Sequence, residues 1–380
     1  MFIDVELRFY AKIWLNSEKN WPLMTHFPKV LVVGAGLIGT SIALALRQIG
    51  SEVQICDVDP KAQSLAQDLI GSGAGVLAGE YDLVIIATPV AMVFEVLLAE
   101  YKRNPHSTFI DVGGVKSELI RQVGQFPELA SRFCATHPMA GREISGPSSA
   151  QSDLFEGRAW ILTETEFTKP ELTAAVAELV SDLGATPYRL SAQDHDHAIA
   201  GISHLPQIVS SILAQSLANL SDGSLLLAGQ GLRDVSRLAA SSGELWSQLL
   251  IANREQVLPG LAQISTSLKE LMESISRQDN KEIKAFIDRG ATERARIPGK
   301  HGAKPRKYSY LPVVIQDQPG QLAALFQECA LAKVNVEDLT IEHSPGQQTG
   351  LITLALSEAD ALILQQHLLD NGWAAHTPRA

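Results

Sequence analysis

The stretch Gly34-Ala35-Gly36-Leu37-Ile38-Gly39 decides the reading of this 380-residue chain. A short apolar run, Lys29–Val33, precedes it, and Ile38, Ile42, Ala45, Leu46 and Ile49 then recur at helical spacing. A glycine-rich turn between a strand and a helix is the dinucleotide fingerprint. Gly34 permits the tight turn, Gly36 lets the backbone approach a pyrophosphate, and Gly39 lets helix and strand pack closely. The free N–H groups at the helix start, around Leu37 and Ile38, face the phosphates with the positive end of the helix dipole. The competing reading is a glycine-rich turn with no ligand.

Asp57 lies 18 residues beyond Gly39, at the end of a second strand, Val53–Cys56. A carboxylate there accepts both ribose hydroxyls and repels a 2′-phosphate, which favours NAD over NADP. Asp59 competes for that role, or starts the next helix. Ala87-Thr88-Pro89 ends a further strand at the sheet edge where ligands bind, so Thr88 and Pro89 join the cofactor set. Their bland reading is a strand end, since Pro cannot continue a central strand.

Working outward, Tyr81–Ala87, Thr108–Val112 and Phe133–Thr136 read as more strands, alternating with helices. The expectation is an α/β chain: a parallel Rossmann sheet over 28–190, covered on both faces. Residues 191–296 read as an all-helical domain, with Leu205–Leu217 and Asn253–Leu271 periodic, and such domains often supply dimer contacts. Residues 297–308 carry Pro298-Gly299-Lys300-His301-Gly302 and Lys304-Pro305-Arg306-Lys307, a linker. Residues 309–380 give strand-helix-strand-strand-helix, a small four-stranded α+β domain. Residues 1–27 form an extension with a short alternating run at Phe2–Leu7, and Met24 is a candidate start.

The net charge of −11 argues against nucleic acid or an anionic membrane as the main partner. Apolar residues at 46% and charged residues at 19% fit a globular chain with a sizeable core. No apolar run approaches the ~20 residues of a membrane span, and no signal-peptide pattern opens the chain. Three cysteines, Cys56, Cys134 and Cys329, form no close pair, which fits a reducing cytoplasm. Cys56 and Cys134 read as buried, inert thiols.

Three polar runs interrupt otherwise apolar sequence. The first is Thr136-His137-Pro138-Met139-Ala140-Gly141-Arg142-Glu143. A His at the carboxyl end of a strand can face a nicotinamide and act as a general base, though such a His is as often structural. The second is Asp194-His195-Asp196-His197 with Ser203-His204-Leu205-Pro206. The third is Arg233-Asp234-Val235-Ser236-Arg237, then Trp246. Adjacent ligands on one helix diverge, so no metal site is expected.

Together these runs resemble the prephenate/arogenate dehydrogenase family over Lys29–Arg296. The resemblance implies the oxidative decarboxylation of prephenate to 4-hydroxyphenylpyruvate in tyrosine biosynthesis. By that likeness His137 accepts the proton of the ring hydroxyl, hydride passes to the nicotinamide and the ring carboxylate leaves as CO₂. Arg237 binds a substrate carboxylate, and Ser203 and His204 line the pocket. Glu143 and Asp234 stand at its mouth, and Trp246 gates it, unless it is a core Trp. Two positions depart from the family. Many members have Ser where Gly114 stands, and a missing hydroxyl there costs on the order of 1 kcal/mol. Many have His where Gln207 stands beside the substrate side chain, leaving the keto acid prephenate and the amino acid arogenate both open.

Asp317-Gln318-Pro319-Gly320 and Val334-Asn335-Val336 resemble the ACT domain, a βαββαβ module that binds amino acids. That likeness implies feedback control, most simply by tyrosine, through Asp317, Pro319, Gly320 and Asn335; the alternative is a structural pairing domain. The implied assembly is a homodimer. A 3-hydroxyacid dehydrogenase shares the layout, but its Lys base motif is missing. A non-catalytic NAD or amino-acid sensor is the remaining rival.

Overall fold

The computed structural model describes residues 27–71, 80–141, 146–297, 308–343 and 349–379. The alternating run at Phe2–Leu7, Glu143 and all but the ends of the 297–308 linker lie outside them. The chain divides after Gln263 into two compact units. The division falls inside one long helix, Arg254–Ser276, rather than at a linker.

The first unit is built on a seven-stranded sheet ordered β2-β1-β3-β4-β5-β6-β7. Its strands are β1 Lys29–Val33, β2 Glu52–Cys56, β3 Leu83–Ile86, β4 Thr108–Asp111, β5 Phe133–Pro138, β6 Ala159–Thr163 and β7 Thr186–Arg189. The first five are parallel. The expected all-parallel sheet needs one correction, because β6 runs antiparallel to β5 and β7 then runs parallel to β6. Nothing in the short apolar run Ala159–Thr163 announces its direction.

Burial on both faces explains the unbroken apolar runs. In β1, Val30 and Val32 pack with Ile42, Leu46 and Ile55 on one face, while Leu31 packs with Val84, Leu97 and Phe109 on the other. Helix α1, Leu37–Gln48, begins at the fingerprint. Helix α2, Pro60–Ile70, is capped by Asp59, whose carboxylate accepts from the Lys61 N–H. The second of the two readings of Asp59 therefore holds. Cys134 is buried with its thiol pushed up to about 12 by burial, so it stays protonated. Cys56 is half-buried rather than buried; burial and then Glu100 raise its thiol to about 11.

Beyond the sheet, α3 Ala192–Ile199 runs through a π turn, Ala200–His204, into α4 Leu205–Ser216. Pro206 has no N–H to give to the preceding turn, a local reason for the widened helix. Helices α5 Gln230–Ser236 and α6 Gly243–Ala252 follow.

The second unit contains a four-stranded antiparallel sheet ordered β11-β8-β10-β9, made by Ala374–Ala375, Ser309–Gln316, Thr349–Leu356 and Asp338–His343. Helices Gln321–Leu331 and Glu358–Asp370 supply Leu325, Cys329, Ala361, Leu364 and Leu368 to its core. The chain order is βαββαβ. Phe326 is exposed on the outer side of its helix. No helix among the described residues is long and apolar enough to cross a membrane.

Candidate active site

The fingerprint, Asp57, Thr88-Pro89 and His137 all lie at one edge of the sheet, at the carboxyl ends of β1, β2, β3 and β5, where the loop after β4 also emerges. The strand order reverses direction there between β1 and β3, the usual place for a ligand crevice. Gly34 has φ of +113°, and a Cβ on it would lie 2.4 Å from the Ala87 carbonyl oxygen. A Cβ on Gly39 would lie 2.0 Å from the Gly34 oxygen. Those two glycines are demanded by packing. Gly36 differs, since a Cβ there would meet nothing within 4 Å. That open ground lies at the start of α1, before the Leu37 and Ile38 N–H groups.

Asp57 is held in place by two backbone donors. The Ala35 N–H gives 2.6 Å to its Oδ2, and the Asp59 N–H gives 2.8 Å to its Oδ1. Thr88 lies just past β3, ahead of Pro89, with a buried hydroxyl that has no hydrogen-bond partner among the described residues. An open glycine cradle, a pinned carboxylate and an orphaned hydroxyl on one sheet edge fit a dinucleotide.

His137 lies near the end of β5 and keeps part of its ring open. The loop after β4 sits against it. A Cβ on Gly114 would be 3.8 Å from both Cε1 and Nε2 of His137, so that edge of the ring faces the loop. The loop is anchored by Asp111. Its Oδ2 accepts from the Gly113 N–H at 2.8 Å and from the Lys116 ammonium at 2.5 Å, and its Oδ1 accepts from the Thr136 N–H at 3.2 Å. Lys116 and Asp111 are fully buried.

The other edge of His137 meets a second histidine. His137 Nδ1 and His195 Nε2 are 2.9 Å apart, and His195 Nδ1 is 2.7 Å from Asp196 Oδ1. The same carboxylate accepts from the backbone N–H groups of Lys116 and Ser117, both at 2.8 Å. Asp196 thus caps the helix Ser117–Val123 from a neighbouring helix. Burial opposes its charge, but those hydrogen bonds outweigh burial and lower its carboxyl below the usual range. Asn253 adds a further tie. Its Nδ2 reaches the Asp196 carbonyl at 2.9 Å and His204 Nδ1 at 3.2 Å.

The electrostatics favour neutral rings. Burial first, then the Lys116 ammonium, His195 and His204, hold His137 well below its ordinary 6.5, with Asp196 opposing. Burial also lowers His204. Lys116 itself is lowered by burial, against the pull of Asp111.

The structure brings His137, Gly114, His204 and Trp246 together, with the Trp246 ring edge-on to His204 at 5.8 Å. Ser203 precedes His204 in the π turn. Gln207, expected beside the substrate, is buried with its amide engaged elsewhere. It donates to the Leu238 carbonyl at 2.9 Å and to Ser211 at 3.3 Å, and it accepts from Ser241 at 3.4 Å. Together with Ser210, which accepts from the Ala239 N–H, it fixes the turn that Arg237 begins. Arg237 is exposed. Asp234 is exposed and accepts from Gln230 at 2.7 Å. No group of three potential metal ligands occurs among the described residues.

His195, Asp196, Asn253, Lys116 and Asp111 belong to the site, although no motif in the sequence marks them as site members. One signal was present in Asp194-His195-Asp196-His197, where helical geometry turns His195 and Asp196 inward and leaves Asp194 outside. The Asp111–Lys116 pair spans an irregular loop and has no periodicity to betray it.

Residues 42–188 match the family model described as prephenate dehydrogenase, nucleotide-binding domain. Residues 191–289 match that described as prephenate dehydrogenase, dimerization domain. A protein of Streptomyces niveus named a probable prephenate dehydrogenase is 31% identical, covering 91% of this chain and 99% of that protein. Among solved structures, the Aquifex aeolicus prephenate dehydrogenase in complex with hydroxyphenyl propionate and NAD+ is 28% identical with a TM-score of 0.64, covering 74% of this chain and all of that one. The Synechocystis arogenate dehydrogenase is 30% identical with a TM-score of 0.59, covering 70% of this chain and 98% of that one.

Proposed function

Because the chain belongs to the prephenate dehydrogenase family, we propose that it catalyses the NAD-dependent oxidative decarboxylation of prephenate to 4-hydroxyphenylpyruvate, a step of tyrosine biosynthesis. The observation that carries the proposal is the placement of His137. A neutral, partly open imidazole stands at the same sheet edge as the dinucleotide cradle, backed by a buried hydrogen-bond chain.

NAD, when bound, supplies the hydride acceptor. The pinned Asp57 receives the ribose hydroxyls and disfavours a 2′-phosphate. Gly36 admits the pyrophosphate, and Thr88 gives its hydroxyl to the cofactor. His137 takes the proton of the substrate hydroxyl as hydride leaves the same carbon, and returns it to the oxygen when the C–CO₂ bond breaks and the ring aromatises. Prephenate and NAD+ give 4-hydroxyphenylpyruvate, CO₂ and NADH with no net proton released. Aromatisation drives the step, so the residues position and polarise. Arg237 takes a substrate carboxylate, for which a guanidinium fork is suited. Ser203, His204 and Trp246 line the pocket, with Asp234 at its mouth.

The arogenate reading rests on the likeness to the Synechocystis enzyme. Exposed Ile202, Ile212, Leu226, Leu227 and Ile251 support a homodimer through the helical region. For the second unit, the βαββαβ order and the left-handed Gly320 that opens the helix Gln321–Leu331 support an ACT-type regulatory domain responding to tyrosine. There Asn335 is bonded to Glu337 at 2.9 Å. The test is a spectrophotometric assay of the purified chain with prephenate or arogenate, NAD or NADP, with and without tyrosine. No reduction of cofactor with either acid refutes the enzyme reading, and arogenate-only turnover refutes the prephenate one.

A further inference from the structure

Two histidines in hydrogen-bond contact must share one proton between the facing nitrogens, and what lies behind them decides which ring holds it. Behind His195 stands a carboxylate, which only accepts. Asp196 Oδ1 is 2.7 Å from His195 Nδ1, so that nitrogen carries the hydrogen. Asp196 cannot turn away, because the Lys116 and Ser117 N–H groups hold both its oxygens. With its ring hydrogen on Nδ1, His195 presents a lone pair at Nε2, 2.9 Å from His137 Nδ1. That contact is satisfied only if His137 Nδ1 is the donor.

We infer that His195 and Asp196 are positioning residues that hold His137 with its hydrogen on Nδ1, leaving Nε2, on the edge facing Gly114, as the acceptor for the substrate hydroxyl. The inference rests on the dehydrogenase reading for its consequence in turnover, while the tautomer itself is a property of the resting protein.

The arrangement suits the proton balance of the reaction. The proton taken from the substrate O–H bond at Nε2 makes His137 an imidazolium. Its Nδ1–H then points along the chain to His195 and the buried carboxylate, which spreads the positive charge over two rings and toward a fixed anion. When the ring aromatises, Nε2 returns the proton to the product oxygen. No proton has to leave the site, so a closed chain ending on Asp196 is sufficient. The charged groups packed around His137 are Lys116 with Asp111 from the β4 loop, His195 and Asp196 from α3, and His204 from the π turn. Lys116, His195 and His204 act against the imidazolium, and Asp196 is the group that favours it.

The experiment is ¹⁵N NMR of the full-length protein with labelled histidine, without substrate, alongside steady-state kinetics of His195→Gln and His195→Leu. The expected wild-type spectrum shows His137 with Nδ1 protonated and Nε2 bare, and His195 likewise protonated at Nδ1. In H195L the buried Nδ1–H of His137 loses its acceptor. The tautomer signature changes, and kcat falls on the order of 10²-fold, the scale of a mispositioned general base, with KM for prephenate changed much less. In H195Q the amide oxygen accepts from Nδ1, restoring the wild-type signature and most of kcat. A His137 found protonated at Nε2 in the wild type overturns the inference, and this holds even if the variants fail to fold. An H195L protein with unchanged tautomer and kcat also overturns it. The correct tautomers without turnover of either cyclohexadiene acid refute the enzyme reading and leave the tautomer assignment standing.

Discussion

Gly114→Ser tests how the β4 loop addresses His137. A Cβ at this position lies 3.8 Å from His137 Nε2, and an oxygen on it directed at the ring comes within about 3 Å, a normal hydrogen-bond length. One such bond is worth about 1 kcal/mol, which converts to about fivefold in rate if it is made to the ring as charge develops there. The added Cβ also comes 3.0 Å from Leu249 Cδ2. That methyl is the free end of a side chain and has to move only a few tenths of an ångström. G114S is therefore expected to raise kcat about fivefold with KM within about twofold. Gly114→Ala carries the same Cβ without the hydroxyl and should match or fall slightly below the wild type. Following NADH absorbance across all three proteins isolates the hydroxyl. Equal kcat for G114S and G114A would refute the reasoning, because the hydroxyl would then not reach the ring.

The glycines of the fingerprint should separate cleanly. Gly36→Val fills open ground, so NAD binding by calorimetry should be lost while Tm stays within a few degrees; a large drop in Tm would contradict the open cradle. Gly39→Ala puts a methyl 2.0 Å from the Gly34 oxygen and should instead destabilise the fold itself by more than about 2 kcal/mol in urea. Asn253→Ala leaves two buried acceptors, the Asp196 carbonyl and His204 Nδ1, at about 1–3 kcal/mol each. A loss of about 3 kcal/mol is expected, and a loss under about 0.5 would show that the tie is idle. Protonated His137 cannot accept the substrate proton, and its pKa is lowered, so the acid limb of kcat/KM should fall below pH 6.5 rather than at it. The unfolded chain binds these protons first, so stability declines as pH drops below about 6.5, by at most about 1.4 kcal/mol per pH unit for each of His137 and His204.

The fold was legible where local sequence and packing agree. Lys29–Val33 is apolar throughout because both faces of β1 are covered, and the glycines after it are required by the Ala87 and Gly34 oxygens. Asp57 and His137 were legible because each ends a strand at the edge where ligands gather. The reversal of β6 was not, since direction depends on which neighbour a strand finds and leaves no mark in five residues. Gln207 was read as a specificity residue from its place after Leu-Pro. Its amide instead answers a backbone carbonyl thirty-one residues away, which no local pattern encodes.

Apart from the Lys116–Asp111 ion pair, the residues that escaped notice act through a backbone group or a ring. Asp196 is the clearest case. As a helix cap it fixes the Lys116–Ser117 turn, and as an acceptor it fixes His195. Both duties end on His137, one through the loop carrying Gly114 and the other through the ring chain. Removing the carboxylate would therefore loosen the base from two sides at once. The two losses should not add as independent terms, because residues in one network couple. A double-mutant cycle between His195→Leu and Ser117→Pro, which deletes the backbone donor, measures that coupling in kcat. A coupling near zero would show that the cap and the ring chain are separate devices that happen to share an atom. A coupling of 1 kcal/mol or more, the range expected for groups on one carboxylate, would show that the loop and the base are set by the same charge.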